Sequence, residues 1–193
     1  MRSRLLALFV LLLLLPFLTG ATIVIRGPRV TGGGSPTWYY PPGITSNPSA
    51  LDDYNIIDDA YAGLSKVTFS SAGTVTKLAL YTTYVNSTST LKMAIFDSSR
   101  TLIGSGVSAS ITTGTDVWQE ITASVTIPSA GTYYIGFSMD GPYTGSLVGE
   151  RTTGSSGDLY ETFDSGSYGN FPGSLTSLAS GSYLWAVRAE LTP

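Results

Sequence analysis

The sequence predicts an all-β jelly-roll sandwich, two stacked antiparallel sheets of about eight or nine strands. Three observations predict it. Only 12% of the 193 residues are charged, while Gly, Ser, Thr and Tyr are abundant, the composition of a β-rich exported domain. From residue 61 onward, short runs alternate apolar and polar residues at regular spacing, with turn residues between them. The tetrapeptide "SAGT" occurs twice, at Ser71–Thr74 and Ser129–Thr132, each time between two such runs. Its glycine can take the φ > 0 corner that a tight turn needs. No segment sustains a 3.6-residue period; "DDYNIIDDAYAGL" alone is a candidate for a helical turn.

The elements follow in order. "MRSR" is basic, Leu5 to Leu18 is apolar apart from Pro16, and small residues follow at 19–22. This is the layout of a secretory signal peptide over residues 1–20, and its apolar stretch is shorter than the roughly 20 residues of a membrane span. "ATIVIRGPRV" (21–30) reads as a short strand stopped by Gly27-Pro28. "TGGGSP" is a flexible joint, and "TWYYPPG" (37–43) is aromatic and proline-rich, extended and packed on something. Residues 21–51 therefore form an N-terminal strand plus linker, and 52–193 the sandwich domain. Within it, strands are expected at 61–70, 74–84, 91–97, 102–111, 118–128, 133–140, 147–153 and 183–192, and a loop-rich region at 154–182. Leu78 and Leu80 share a face opposite Tyr81. Leu91, Met93 and Ile95 point inward and Lys92 outward. Ile121, Ala123, Val125 and Ile127 share a face, as do Tyr133, Ile135 and Phe137.

Composition excludes whole function classes. There is no Cys and no His. That removes disulfides, the usual zinc, copper and haem ligands, and the Ser-His and Cys-His nucleophile pairs. Without Arg2 and Arg4 the net charge falls from −3 to −5, which argues against nucleic acid as a partner. The glutamates are Glu120, Glu150, Glu161 and Glu190, and no spacing among them marks the carboxylate pair of a glycosidase. The chain is therefore read as non-catalytic.

The stretches "FSSAGTVTKLALYTTYVNSTSTLKMAIFDSSRTLIGSG", "WQEITASVTIPSAGTYYIGFSMDG", "SYGNFPGSL" and the terminal "YLWAVRAEL" resemble, in this order, a widespread jelly-roll module. It is found in secreted and surface proteins of bacteria and archaea and in some viral adhesins, and is similar to carbohydrate-binding modules. The resemblance spans about residues 62 to 192 and implies a binding scaffold; it carries over no catalytic residue.

Sugar sites stack aromatic rings on pyranose faces and orient hydroxyls with polar side chains. The candidates here are Tyr81, Tyr134, Lys92 and Arg188, which point away from the expected core, and Tyr143, Arg151, Tyr160, Tyr168 and Phe171 in or near loops. Asp52, Asp53, Asp58 and Asp59 crowd one segment and are the candidate ligands of a structural Ca²⁺. Asn86, in "NST", fits a glycosylation acceptor. Two functions compete: a secreted module binding glycan or another cell-surface polymer, and a self-associating subunit of an extracellular filament or surface layer in which residues 22–26 add to a neighbour's sheet.

Overall fold

The computed structural model describes residues 34–48, 53–56, 61–85, 89–111, 116–140, 147–155, 159–163, 171, 179–181 and 183–193. The expected signal peptide, the strand at 21–30 and Asn86 lie outside them. The described residues contain strands and no helix: β1 (Thr37–Tyr39), β2 (Asp53–Ile56), β3 (Tyr61–Phe69), β4 (Gly73–Val85), β5 (Ser89–Asp97), β6 (Leu102–Ile111), β7 (Val117–Ile127), β8 (Gly131–Asp140), β9 (Leu147–Thr153), β10 (Leu159–Phe163), β11 (Ala179–Gly181), β12 (Tyr183–Trp185) and β13 (Val187–Thr192). They form two antiparallel sheets. Sheet I runs β1-β13-β4-β9-β12, with β7 also on β4 and β2 also on β9; sheet II runs β11-β10-β3-β8-β5-β6. The expected β-sandwich is thus the observed one.

Period-two alternation builds the core. β7 shows it most cleanly: Ile121, Ala123, Val125 and Ile127 are buried, while Thr122, Ser124 and Thr126 are exposed. The inward side chains of both sheets meet in one cluster. It takes Val75, Leu78, Leu80, Trp185, Val187 and Leu191 from sheet I, and Val67, Phe69, Leu91, Met93, Ile95 and Phe137 from sheet II. Trp185 and Phe137 pack edge to face across the layers, with ring centroids 5.2 Å apart. The inward polar Ser65 is fully buried and satisfied, since its Oγ accepts the Trp185 backbone N–H at 2.9 Å.

The two "SAGT" copies join the layers. β3 leads through the first into β4, from sheet II to sheet I; β7 leads through the second into β8, from sheet I to sheet II. Gly73 pairs with Ile127 and Phe69 with Gly131, so the two segments lie side by side and run in opposite directions. They are inter-sheet arches, not tight hairpin turns. Their glycines answer different needs. A Cβ on Gly73 would lie 2.4 Å from the Thr192 carbonyl oxygen, whereas one on Gly131, at φ +154°, would meet the Tyr133 ring at an ordinary 3.8 Å.

Three expectations change. Within the stretch expected as a linker, residues 37–39 are a strand of the sandwich: β1 extends sheet I by pairing with β13. Beyond it, Pro42 and Gly43 occupy the middle of a turn closed by Ile44 N–H to Pro41 O at 3.1 Å, with Gly43 at φ +81°. "DYNI" is a strand on β9 and not a helical turn. The loop-rich region holds β10, which extends sheet II beside β3, and β11 beside β10. These strands are five and three residues long, held by backbone ladders and too short for an alternation to mark them.

Candidate functional site

Each sheet has an outer face, and the two are treated differently. On sheet I the face is closed by the chain's own N-terminal segment. Residues 37–48 lay Trp38, Tyr40 and Ile44 over β4, β7 and β13. Ile44, Tyr81 and Ala186 form a small second core, with Tyr40 and Trp118 packed on it. Trp118 donates from Nε1 to the Ser46 carbonyl at 3.0 Å. The Arg188 guanidinium lies between two indoles, 4.0 Å from the Trp38 ring and 4.2 Å from Trp118. Glu120, across β7, pairs with Arg188 and with Lys77. A planar cation between two ring faces is a strong fastening where water is excluded, and the Arg188 side chain is 11% exposed. This face is used by packing.

The outer face of sheet II is also largely covered, with Ala62, Leu64, Ala94, Phe96 and Ser138 fully buried, but it leaves a pocket at one edge. Three rows cross it in register: Ala62, Ser138, Lys92 and Ser108; then Leu64, Gly136 and Ala94; then Lys66, Tyr134, Phe96 and Leu102. The middle row is a trough of small residues, continued by Gly106 on β6. Phe171 fills it. A Cβ on Gly106 would lie 3.1 Å from the Phe171 ring, and one on Gly136 would lie 2.7 Å from Phe96. Phe96 and Phe171 meet edge to face at 5.6 Å, and with Leu64, Ala94 and Tyr134 they make an outer apolar cluster. Glycines inside a strand mark a close approach, and here the approach is that of an aromatic ring.

Beside Phe171 a pocket of about 240 Å³ opens. Its floor is β6 from Leu102 to Ser108, which bulges over Gly104–Gly106 opposite Ala94 of β5, with Gly104 at φ +69°; Phe171 is one wall and Lys92 another. Lys92 is 8% exposed, and among the described residues it is the charged group lining the pocket. Lysine is rarely so covered unless its charge is answered. Ser138, directly opposite Lys92 in register, is fully buried, and its Oγ has no hydrogen-bond partner among the described residues.

Of the residues singled out from the sequence, Lys92 and the loop aromatic Phe171 line this pocket, and Tyr168 lies outside the described residues. Tyr81 (3% exposed) is covered on sheet I and Tyr134 (6%) in the outer cluster of sheet II, so neither offers a ring face to a ligand. Arg188 is held in the indole stack. Arg151 on β9 stands opposite Asp53 on β2 and Trp185 on β12, and Tyr160 on β10 opposite Leu64. Tyr143, Asp52, Asp58 and Asp59 lie outside the described residues. Gly104, Ser105, Gly106 and Ser108 were missed. Their signal was present as "GSGVS", two glycines inside a strand that needed no turn there. The sequence matches no protein-family model and no curated protein.

Proposed function

We propose that the protein is a non-catalytic binding module that acts outside the cell and holds a glycan or another surface polymer in the pocket between Lys92 and Phe171. The pocket itself carries the reading: an aromatic wall, a hydroxyl- and amide-bearing floor and one ammonium are the groups that hold and orient a sugar unit. The resemblance to carbohydrate-binding modules, the basic-then-apolar leader and the lack of Cys and His support it as well. A glycan array probed with the purified chain tests it. Binding that Ser105→Trp abolishes, by filling the pocket mouth from an exposed position, is the expected result. Binding that survives Ser105→Trp would remove the pocket from the account.

One observation favours a second reading, a self-associating structural subunit. β6 and β7, ten and eleven residues long, each pair on one side only among the described residues; β6 carries no charge and β7 only Glu120. Long edges without Lys or Pro are templates for strand addition, and residues 22–26 of a second copy are the donor of suitable pattern. Light scattering on 22–193 and 34–193 separates the two. Assembly of the longer form alone supports the subunit; two monomers remove it.

A further inference from the structure

We infer that the Lys92 pocket takes a uronic-acid unit, so that the polymer recognised is an acidic glycan. This rests on reading the pocket as a glycan site, and it names the chemistry that the site selects. The first ground is charge. Lys92 sits 8% exposed in a wall whose other described members are neutral. An ammonium withdrawn from water keeps its stability by meeting an anion or several acceptors, and it can donate three hydrogen bonds, so a ligand carboxylate can join whatever the protein already supplies. Ser138 Oγ, fully buried across the ladder from Lys92 and without a hydrogen-bond partner among the described residues, adds no negative charge there. Lys66, two rows along the same outer face, carries the same sign.

The second ground is size and shape. The volume is about 240 Å³. That is the share of liquid taken by about eight waters, and it suits one sugar ring bearing a carboxylate. The third ground is the division of polarity inside the pocket. Phe171, 7% exposed and so covered over most of its ring, gives an apolar edge against which ring C–H groups rest. The exposed Ser105 and Ser108 on β6 stand at the rim, where their hydroxyls can meet those of the ring. An acidic peptide would use the ammonium and waste the ring wall; a neutral sugar would do the reverse.

Titration calorimetry with the full chain tests this, using oligogalacturonate, a neutral galactan oligomer of equal length, and a short polyglutamate. Oligogalacturonate is expected to bind at least tenfold tighter than the other two, and more weakly as salt rises. Lys92→Met should remove at least tenfold of that affinity and its salt dependence, so that oligogalacturonate no longer binds tighter than the neutral galactan. If Lys92→Met fails to fold, Ser105→Asp and Ser108→Asp, both at exposed positions, place a carboxylate at the rim and should weaken oligogalacturonate selectively. Equal affinity for galactan, equal affinity for polyglutamate, or indifference to both kinds of substitution overturns the inference. Neutral-sugar binding in the same pocket would leave the wider glycan reading intact, whereas no binding to any saccharide, on the array or by calorimetry, would end both.

Discussion

At position 188 a guanidinium lies 4.0 Å from one indole and 4.2 Å from another, and reaches Glu120 with its end. Replacing it by alanine empties the space between Trp38 and Trp118 and leaves Glu120 with Lys77. Arg188→Ala should cost about 2–3 kcal/mol in chemical denaturation. Arg188→Lys should recover less than half of that, because a compact ammonium cannot cover two ring faces. Lys77→Ala should cost less than about 1 kcal/mol, since Lys77 and Glu120 are well exposed. A loss for Arg188→Lys as small as that for Lys77→Ala would show the stack to be incidental. The two arch glycines make a second test of one-residue physics. Gly73→Ala drives a methyl into the Thr192 carbonyl; Gly131→Ala meets no atom closer than 3.8 Å but holds alanine at φ +154°. Both should lower the melting temperature, at about 1–3 kcal/mol for the strained backbone and at least as much for the clash. Deleting Thr192 and Pro193 should recover stability in the Gly73→Ala background and not in Gly131→Ala. Additive losses in both would refute the assigned cause.

Among the elements, the segment 34–48 changes most between sequence and structure. It covers Tyr81 and Ala186 and supplies Trp38, Tyr40 and Ile44 to the outside of sheet I. A chain beginning at residue 50 should therefore expose those groups, melt at least 10 °C lower than one beginning at 34 and bind a hydrophobic dye, since several apolar side chains and the Arg188 stack go together. Equal melting of the two would mean that the segment is held without contributing. The long strands were legible because each has one face on the shared core, so alternation writes itself into "TKLALY", "LKMAIF" and "ITASVTIP". The outer faces were not legible. A residue pointing away from the core reads as solvent-facing, yet Tyr81 and Tyr134 are covered by segments far along the chain, and no local pattern records that. Lys92 was found for its outward direction; the pocket around it depends on Phe171, 79 positions later, meeting two strand glycines. β2, β10 and β11 escaped because "DYNI", "LYETF" and "ASG" are four, five and three residues long, too short for any alternation to stand out from the turn-rich sequence around them.

For the molecule as a whole, one cluster draws its buried side chains from both sheets, so neither sheet keeps a core when the other leaves. No disulfide is available to hold a partly opened form together. Sheet I also joins the two ends of the described domain, with β13 between β1 and β4, so the last strand cannot be lost without releasing the first. The sandwich should therefore unfold in one cooperative step. Three tryptophans report on this from two depths: Trp185 is fully buried between the layers, while Trp38 and Trp118 lie on the outside of sheet I around Arg188. In Trp185→Phe the fluorescence follows the outer stack; in Trp38→Phe/Trp118→Phe it follows the core. Under guanidinium, each variant's fluorescence midpoint should coincide with its own far-ultraviolet dichroism midpoint. A stack that melts ahead of the dichroism, with the core reporter still coincident, would make 34–48 a separately opening unit. Tyr81 and Trp118 would then be uncovered before the layers part, and the outer face of sheet I would become available for binding alongside the pocket on sheet II.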